Sequence, residues 1–220
     1  MNTLSARDGY RLWAPTYSAE TVVTALENEM VEEFGIHITG RRLLDAACGT
    51  GRRLCGGQAS LAMGIDLTPE MLPQSCGDEY FAGADVRALP FGSAEFDVVW
   101  CRLALGHVPT LMEAYYELTR VCRHGGRVVV TDFHTAAVAA GHRRTFRDGA
   151  GTLHEIEHHV HTRDSHERAA RDAGLRLTDT SEALVGPPVR EYYDRAGRTA
   201  AYDSQIGLPV VLGMVFFRGS

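Results

Sequence analysis

Between residues 41 and 134 apolar strands alternate with helical stretches, and this alternation predicts an α/β fold, a parallel sheet covered by helices on both faces. Two further observations agree. The strands are continuous apolar runs, as burial on both faces requires. The chain has 220 residues, 45% hydrophobic and 23% charged, which suits one large domain and is short for two.

The elements follow in order. Tyr10, Trp13 and Tyr17 form an aromatic cluster near the start. Val22, Val23, Leu26, Met30, Val31 and Phe34 recur at helical spacing over 19–35, and Gly35 is the stop. RRLLDAA is the first buried strand, and a helical segment is expected after the glycine turn behind it. LAMGIDL is the second strand. TPEML starts a helix, with Thr68 as N-cap and Pro69 at its first position. EYFAGADV and FDVVWCRLAL are the third and fourth strands, PTLMEAYYELTRVC is a helix, and RVVVTDFH is the fifth strand.

Beyond His134 the pattern changes to a small, polar, arginine-rich stretch. GTLHEIEHHVHT is expected to be extended, over the sheet edge. Asp164 and Glu167 read as a capping box for SHERAARDAG. LRLTDTSEALV is the sixth strand, EYYDRAGRTAAYD a helix, and LPVVLGMVFF the last strand. No repeat, low-complexity stretch or linker appears, so residues 1–220 read as a single domain.

Composition excludes some functions. The net charge is −6, no run of five like charges occurs, and the arginines are scattered, against a nucleic-acid face. The chain lacks lysine, which reads as a GC-rich coding bias. The five cysteines include no C-x-x-C pair, so neither a structural zinc site nor a disulfide framework is expected. Reduced thiols fit a cytoplasmic location. The first residues have no apolar core for a signal peptide, and no apolar run reaches membrane-spanning length.

LLDAACGTGRR, residues 43–53, carries the chemistry. A dinucleotide turn, G-x-G-x-x-G, would need a third glycine where Leu54 stands. A P-loop needs a lysine, and none exists. What remains is D-x-A-C-G-T-G, with Asp45 placed where an anionic ligand would be repelled. Asp66 ends the second strand, where a carboxylate accepts ribose hydroxyls. Asp85 follows the third, within reach of a base amine. A cationic amine, a ribose and an adenine describe S-adenosylmethionine.

The chain resembles the class I S-adenosylmethionine-dependent methyltransferases, of the small-molecule branch that includes ubiquinone, menaquinone and biotin-pathway enzymes (methyltransferase type 11). The matching stretches are LLDAACGTG, GIDLTPEML, GADVRALPFGSAEFDVVWCRLALGHV and ELTRVCRHGGRVVVTD. The family's first turn glycine is Ala47 here, and the proline of its usual turn before the fifth strand is replaced in Cys122–Gly126. The resemblance implies a Rossmann-like sheet of seven strands, mostly parallel, with the last strand antiparallel. It implies that Asp45, Ala47, Gly49 and Gly51 meet the methionine moiety. Asp66 would hold the ribose, Leu67 and Met71 pack on the adenine, and Asp85 with Val86 meet its edge. Cys101 and Leu103 would close over the methionine end. Tyr10, Trp13 and Tyr17 match the family's N-terminal lid, Tyr17 toward the cofactor and Tyr10 and Trp13 toward the acceptor. Residues 1–35 would then be lid and helix, and 135–163 a substrate-cover insertion.

Methyl transfer from a sulfonium is an in-line displacement in which positioning dominates and a general base is optional. His107 after the fourth strand and His134 after the fifth are candidate catalytic groups. In HEIEHHVH, residues 154–161, an extended chain puts Glu155, Glu157, His159 and His161 on one face. That face is a solvated edge, part of an acceptor pocket, or a metal site. His159 is the choice for a catalytic group in the pocket and His161 for an acceptor contact, with no metal in the leading reading. The expected reaction is methylation of an O, N, S or C atom of a small molecule, releasing S-adenosylhomocysteine, with secondary metabolism as a setting. The competing readings are a cofactor-retaining cyclase, pericyclase or decarboxylase, and a non-catalytic binding member. Neither nucleic acid nor membrane is an expected partner, and the chain is expected to act as a monomer or homodimer.

Overall fold

A computed structural model describes residues 2–17, 20–73, 77 and 79–219. In chain order the elements are β1 (Asn2–Leu4), α1 (Ala6–Trp13), α2 (Val22–Glu33), β2 (Arg42–Ala46), β3 (Leu61–Asp66), β4 (Tyr80–Gly83), β5 (Phe96–Arg102), α3 (Met112–Val121), β6 (Cys122–Phe133), α4 (Thr135–Ala139), β7 (Thr145–Arg147), β8 (Leu153–Ile156), α5 (Arg163–Asp172), β9 (Leu175–Leu184), α6 (Arg190–Arg195), α7 (Thr199–Gln205) and β10 (Pro209–Arg218).

Seven strands form one sheet in the order β4-β3-β2-β5-β6-β10-β9. The first five are mutually parallel, and β10 runs antiparallel to both its neighbours, as the sequence led us to expect. Because strand side chains alternate between faces, β5 sends Val99 to one core and Val98 and Trp100 to the other. Ala114, Tyr115 and Leu118 of α3 and Ala169 and Ala170 of α5 cover the first face. Leu26, Met30 and Val31 of α2, with Tyr193 and Tyr202 of α6 and α7, cover the second. The parallel strands deliver their carboxyl ends, from Ala46, Asp66, Gly83, Arg102 and Phe133, to one edge of the molecule.

A second, three-stranded sheet, β1-β8-β7, lies outside the first. Asn2–Leu4 pairs with His154–Ile156, and β8 pairs with β7. Gly9 lets α1 settle on this sheet: a Cβ there would stand 2.9 Å from Ile156 Cγ1. The N-terminal segment and the segment after residue 134 therefore build one layer.

Several expectations are corrected. No helix follows the glycine turn: residues 52–56 are turns, and Gly56 (φ 72°) ends them. TPEML gives only a short 3-10 turn, Pro69–Met71, and Thr68 makes no side-chain cap. HEIEHHVH does not run over the main sheet's edge. It is extended only to Ile156, in the outer sheet, so its later residues do not alternate on one strand. Thr162, not Asp164, caps α5 by accepting from Ser165 N–H, and Glu167 pairs instead with Arg163 at 2.6 Å. The C-terminal helix is two helices, broken at Gly197 (φ 64°). Cys48, Cys101 and Cys122 are free and buried, whereas Cys55 is disulfide-bonded, against the expectation of reduced thiols throughout. No helix among the described residues is long and apolar enough to cross a membrane.

Candidate active site

The loops that leave β2, β3, β4 and β5, roofed by α1 and the 142–145 segment, enclose a cleft of about 360 Å³. Its floor begins at the glycine turn. Ala47 (φ 73°), Gly49 (φ 56°) and Gly51 (φ 67°) all adopt left-handed backbone, so β2 folds back on itself within a few residues. The N–H groups of Ala47 and Cys48 both donate to Ile65 O at 2.8 Å, which fastens the turn to β3. Gly51 is required twice over, because a Cβ there would stand 2.4 Å from the Phe81 ring.

Asp66 ties the two loops together. One carboxylate oxygen accepts from Gly49 N–H and the other from Thr68 N–H, each at 2.8 Å. A carboxylate offers about four lone-pair sites, so capacity remains toward the cleft, which Asp66 lines. Burial pushes its carboxyl up, against the pull of the two N–H donors. Leu67 and Met71 form the adjoining wall. Asp85 and Val86 line the far end, where the Asp85 carboxylate is held by Arg87 at 2.6 Å and lies below its ordinary range, chiefly through that hydrogen bond.

Asp45 does not face the cleft. It is buried behind the turn, and neither carboxylate oxygen has a hydrogen-bond partner. Burial pushes its carboxyl up, while Arg53 and Arg102 pull the other way. Those arginines belong to a network the sequence reading missed. Glu27, wholly buried in α2, accepts from Arg102 Nε at 2.6 Å, from a terminal Arg102 nitrogen at 2.8 Å, from Thr131 Oγ1 at 2.8 Å and from Arg53 at 3.2 Å. Burial alone would raise the Glu27 carboxyl, but Arg53 and Arg102 outweigh it and hold it below its usual value. Thr131 Oγ1 also accepts from Leu103 N–H at 3.0 Å, which supports the left-handed Leu103 (φ 56°) against the cleft.

The roof is aromatic. Trp13 stacks on Phe146 with centroids 4.9 Å apart, and Tyr10 stacks on Trp13 at 5.9 Å. Tyr17 meets Trp13 edge-on at 4.8 Å. Burial and then Tyr10 push the Tyr17 phenol up, opposed by Arg53, Arg52 and Arg144. His107 faces the cleft beneath this roof. Its Nδ1 lies 2.9 Å from Glu157 O, which can only accept, so Nδ1 carries the proton. Its Nε2 lone pair then accepts from the Tyr10 hydroxyl at 3.1 Å. Burial, and after it Arg144, lower the His107 pKa to about 3, so the ring is neutral at physiological pH.

Other predicted residues stand elsewhere. Cys101 is wholly buried in the core. His134 caps α4, accepting from Ala136 N–H at 3.0 Å, with its Nε2 3.5 Å from Glu182. His159 lies 3.5 Å from Glu157, and His161 Nε2 donates to Val108 O at 2.9 Å. Gly51 supports the turn from outside the cleft wall, and none of these side chains lines the cleft. Among the described residues no three metal-ligating side chains converge. The structure adds Arg52, Arg102, Phe133 and Arg144 to the wall. Glu27 had a visible signal: it falls in the apolar stripe of Val23, Met30 and Phe34.

The donor set fits S-adenosylmethionine on the structure's own terms. A terminal nitrogen of Arg52, just past the glycine turn, is buried without a partner, a counterpart for a methionine carboxylate. Asp66 has acceptor capacity for hydroxyls, and Leu67 and Met71 offer an apolar wall for a base.

Comparison with known proteins agrees. Residues 44–130 match a family described as a methyltransferase domain. The 27-O-demethylrifamycin SV methyltransferase of Amycolatopsis mediterranei is 29% identical over 152 residues, 62% of this chain and 54% of that protein. A malonyl-[acyl-carrier protein] O-methyltransferase of Enterobacter lignolyticus is 38% identical over 96 residues, 41% of this chain and 38% of that protein. The chain thus spans only about half, or less, of the length of these relatives. An S-adenosylmethionine-dependent methyltransferase from Mesorhizobium loti shares the fold, with a TM-score of 0.65 at 18% identity, over 87% of this chain and 97% of that one. Residues 44–130 thus resemble a methyltransferase domain, carried on the fold of S-adenosylmethionine-dependent methyltransferases.

Proposed function

We propose that the chain transfers a methyl group from S-adenosylmethionine to an O, N, S or C atom of a small molecule. The observation that carries this reading is Asp66, whose carboxylate links the glycine turn to Thr68 and still faces the cleft opposite Tyr10 and His107. Asp66 would hold the ribose hydroxyls, Leu67 and Met71 the adenine faces, and Val86 its edge. Asp85 would serve the base amine with the lone pairs that Arg87 leaves. Ala47, Gly49 and Arg52 would receive the methionine end, with Tyr17 and Leu103 closing over it. Asp45 acts from behind the turn as a buried carboxyl group with unpartnered oxygens. The cofactor supplies an electrophilic methyl group on a sulfonium.

This chain's residues orient the acceptor and exclude water. Tyr10, Trp13 and Phe146 form an apolar roof that strengthens every polar contact beneath it. His107 Nε2 holds the Tyr10 hydroxyl, or an acceptor hydroxyl that displaces it. As so weak a base it orients more than it abstracts. The same reading takes 1–220 as one domain, with 1–35 as lid and helix and 135–163 as cover. It keeps a cytoplasmic location, a monomer or homodimer, and neither nucleic acid nor membrane as partner.

The test is calorimetric titration with S-adenosylmethionine, for wild type and Asp66→Ala. Saturable wild-type binding, abolished in a variant that keeps its far-ultraviolet dichroism, supports the reading. Undiminished affinity in Asp66→Ala refutes the ribose role. Acceptor turnover without release of S-adenosylhomocysteine would place the chain with cofactor-retaining cyclases, pericyclases or decarboxylases instead.

A further inference from the structure

Arg144 lines the cleft from the cover segment, and its Nε and one terminal nitrogen are buried without any hydrogen-bond partner. Its guanidinium stands over the Phe133 ring, 5.7 Å from the centroid. Arg144 is half-buried, and buried N–H donors left unpaired are costly; the acid that acts on it, Asp132, does so through space without a hydrogen bond. Asp132 accepts from Phe133 N–H at 2.7 Å and lies 3.3 Å from His166. Asp66 is engaged by two backbone N–H groups and Asp85 by Arg87. Of the remaining arginines on that wall, Arg143 donates to Val138 O and His142 O and lies 4.0 Å from Glu155, so it is not comparably free.

Arg52 and Arg144 approach the cleft from different elements, the glycine turn and the cover. S-adenosylmethionine carries a single carboxylate, and Arg52, next to the turn, stands where that group would lie. Among the described residues Arg144 is then the cleft arginine, besides Arg52 and the Glu27-paired Arg53, with buried unpaired nitrogens that the cofactor's carboxylate does not answer, and it acts on His107 beneath the aromatic roof. We propose that Arg144 is the acceptor anchor, and that the acceptor carries an oxyanion, a carboxylate or phenolate, that pairs with its guanidinium. The proposal rests on the methyltransferase reading above and narrows its substrate class.

The geometry suits such a ligand. A guanidinium presents its N–H donors in a planar fork matched to a carboxylate, and the Phe133 ring beneath keeps the fork in place. Trp13, Tyr10 and Phe133 line the cleft and give it apolar surface for an aromatic body. No water or acid is needed to balance the pair once the oxyanion is bound.

The experiment titrates benzoate and its uncharged isostere benzamide into protein saturated with S-adenosylhomocysteine, for wild type, Arg144→Met and Arg144→Lys. Wild type is expected to bind benzoate at least about tenfold more tightly than benzamide, about 1.4 kcal/mol. Arg144→Met should lose that preference, and Arg144→Lys should keep part of it. Both variants should bind S-adenosylhomocysteine within about threefold of wild type, roughly 0.6 kcal/mol. Equal binding of the two probes to wild type, or no binding of either at millimolar concentration, overturns the proposal. So does an Arg144→Met variant that loses the homocysteine product and keeps the benzoate preference, because Arg144 would then serve the cofactor. Failure of wild type to bind S-adenosylhomocysteine at all is a separate result, which overturns the methyltransferase reading and the anchor with it.

Discussion

Glu27→Gln probes the charge network beneath the cleft. The substitution keeps the shape of the side chain and removes its charge. Glu27 is wholly buried, and two arginines and a threonine donate to it at 2.6–3.2 Å. Without the carboxylate, Arg102, which is 6% exposed, keeps Asn28, the Trp100 face and a neutral amide oxygen but loses the charge it pairs with at 2.6 Å. Removing one partner of a buried pair typically costs about 3–5 kcal/mol, because the other charge is stranded. For a chain of this size that is a fall in Tm of about 6–20 °C. The assay is urea denaturation followed by far-ultraviolet dichroism, with thermal melts beside it. The pH dependence adds a second check. The folded carboxyl is held below its ordinary value of 4.5, so its contribution is present above that value and is lost as pH falls through the folded one. The gap between wild type and Glu27→Gln should therefore close on acidification. A loss under about 1 kcal/mol at neutral pH, the size of an exposed pair, would refute the view that the network is desolvated and mutually dependent.

Two predictions follow for the cleft itself. Since burial and Arg144 lower His107 from 6.5 to about 3, the ring stays neutral in the fold. Its contribution to stability is full above 6.5 and declines as pH falls toward the folded value. A rate profile should then show no inflection from His107 between about pH 5 and 8, and an inflection there that disappears in His107→Gln would contradict the assigned burial. Gly51→Ala places a Cβ 2.4 Å from Phe81 at a left-handed φ of 67°. It should cost about 1–3 kcal/mol in urea and weaken cofactor binding, and an unchanged midpoint would mean that the turn is laxer than its packing indicates.

What the sequence made legible follows from periodicity. The parallel strands are buried on both faces, so each appears as an unbroken apolar run, and the sheet with its strand-end acids could be read directly. The missing helix was harder to see. Most parallel crossovers carry a helix, but Gly56–Gly57 interrupts this one four residues past the turn, and β3 begins at Leu61. HEIEHHVH misled for a different reason. Period-two alternation assumes one continuous strand, whereas β8 has four residues, pairs with the three-residue β1 over His154–Ile156 and ends at Ile156. His159 and His161 therefore fall on irregular backbone, hydrogen-bonded outside the cleft. Arg144 could not have been picked out by any local pattern, because its position depends on the cover folding against the N-terminal helix.

Unfavourable local features gather at one edge of the sheet. Ala47 and Leu103 hold left-handed backbone that costs a non-glycine residue about 1–2 kcal/mol each. Both Asp45 oxygens, and nitrogens of Arg52 and Arg144, lack partners there. The core below supplies the stability that tolerates this: β5 is buried along its whole length, and Glu27, Arg102 and Thr131 satisfy one another directly under the strained loop. Strain and unpaired charge held this way against a rigid sheet are the usual mark of a site that a ligand completes. The signs of the unpaired groups carry the argument further. An unpaired cation beside the glycine turn suits the carboxylate of an amino-acid end, and a second unpaired cation on the cover has no counterpart in that cofactor. The unpaired charges thus divide the cleft into a cofactor half and an acceptor half, and the boundary between them runs past Tyr17 and Leu103.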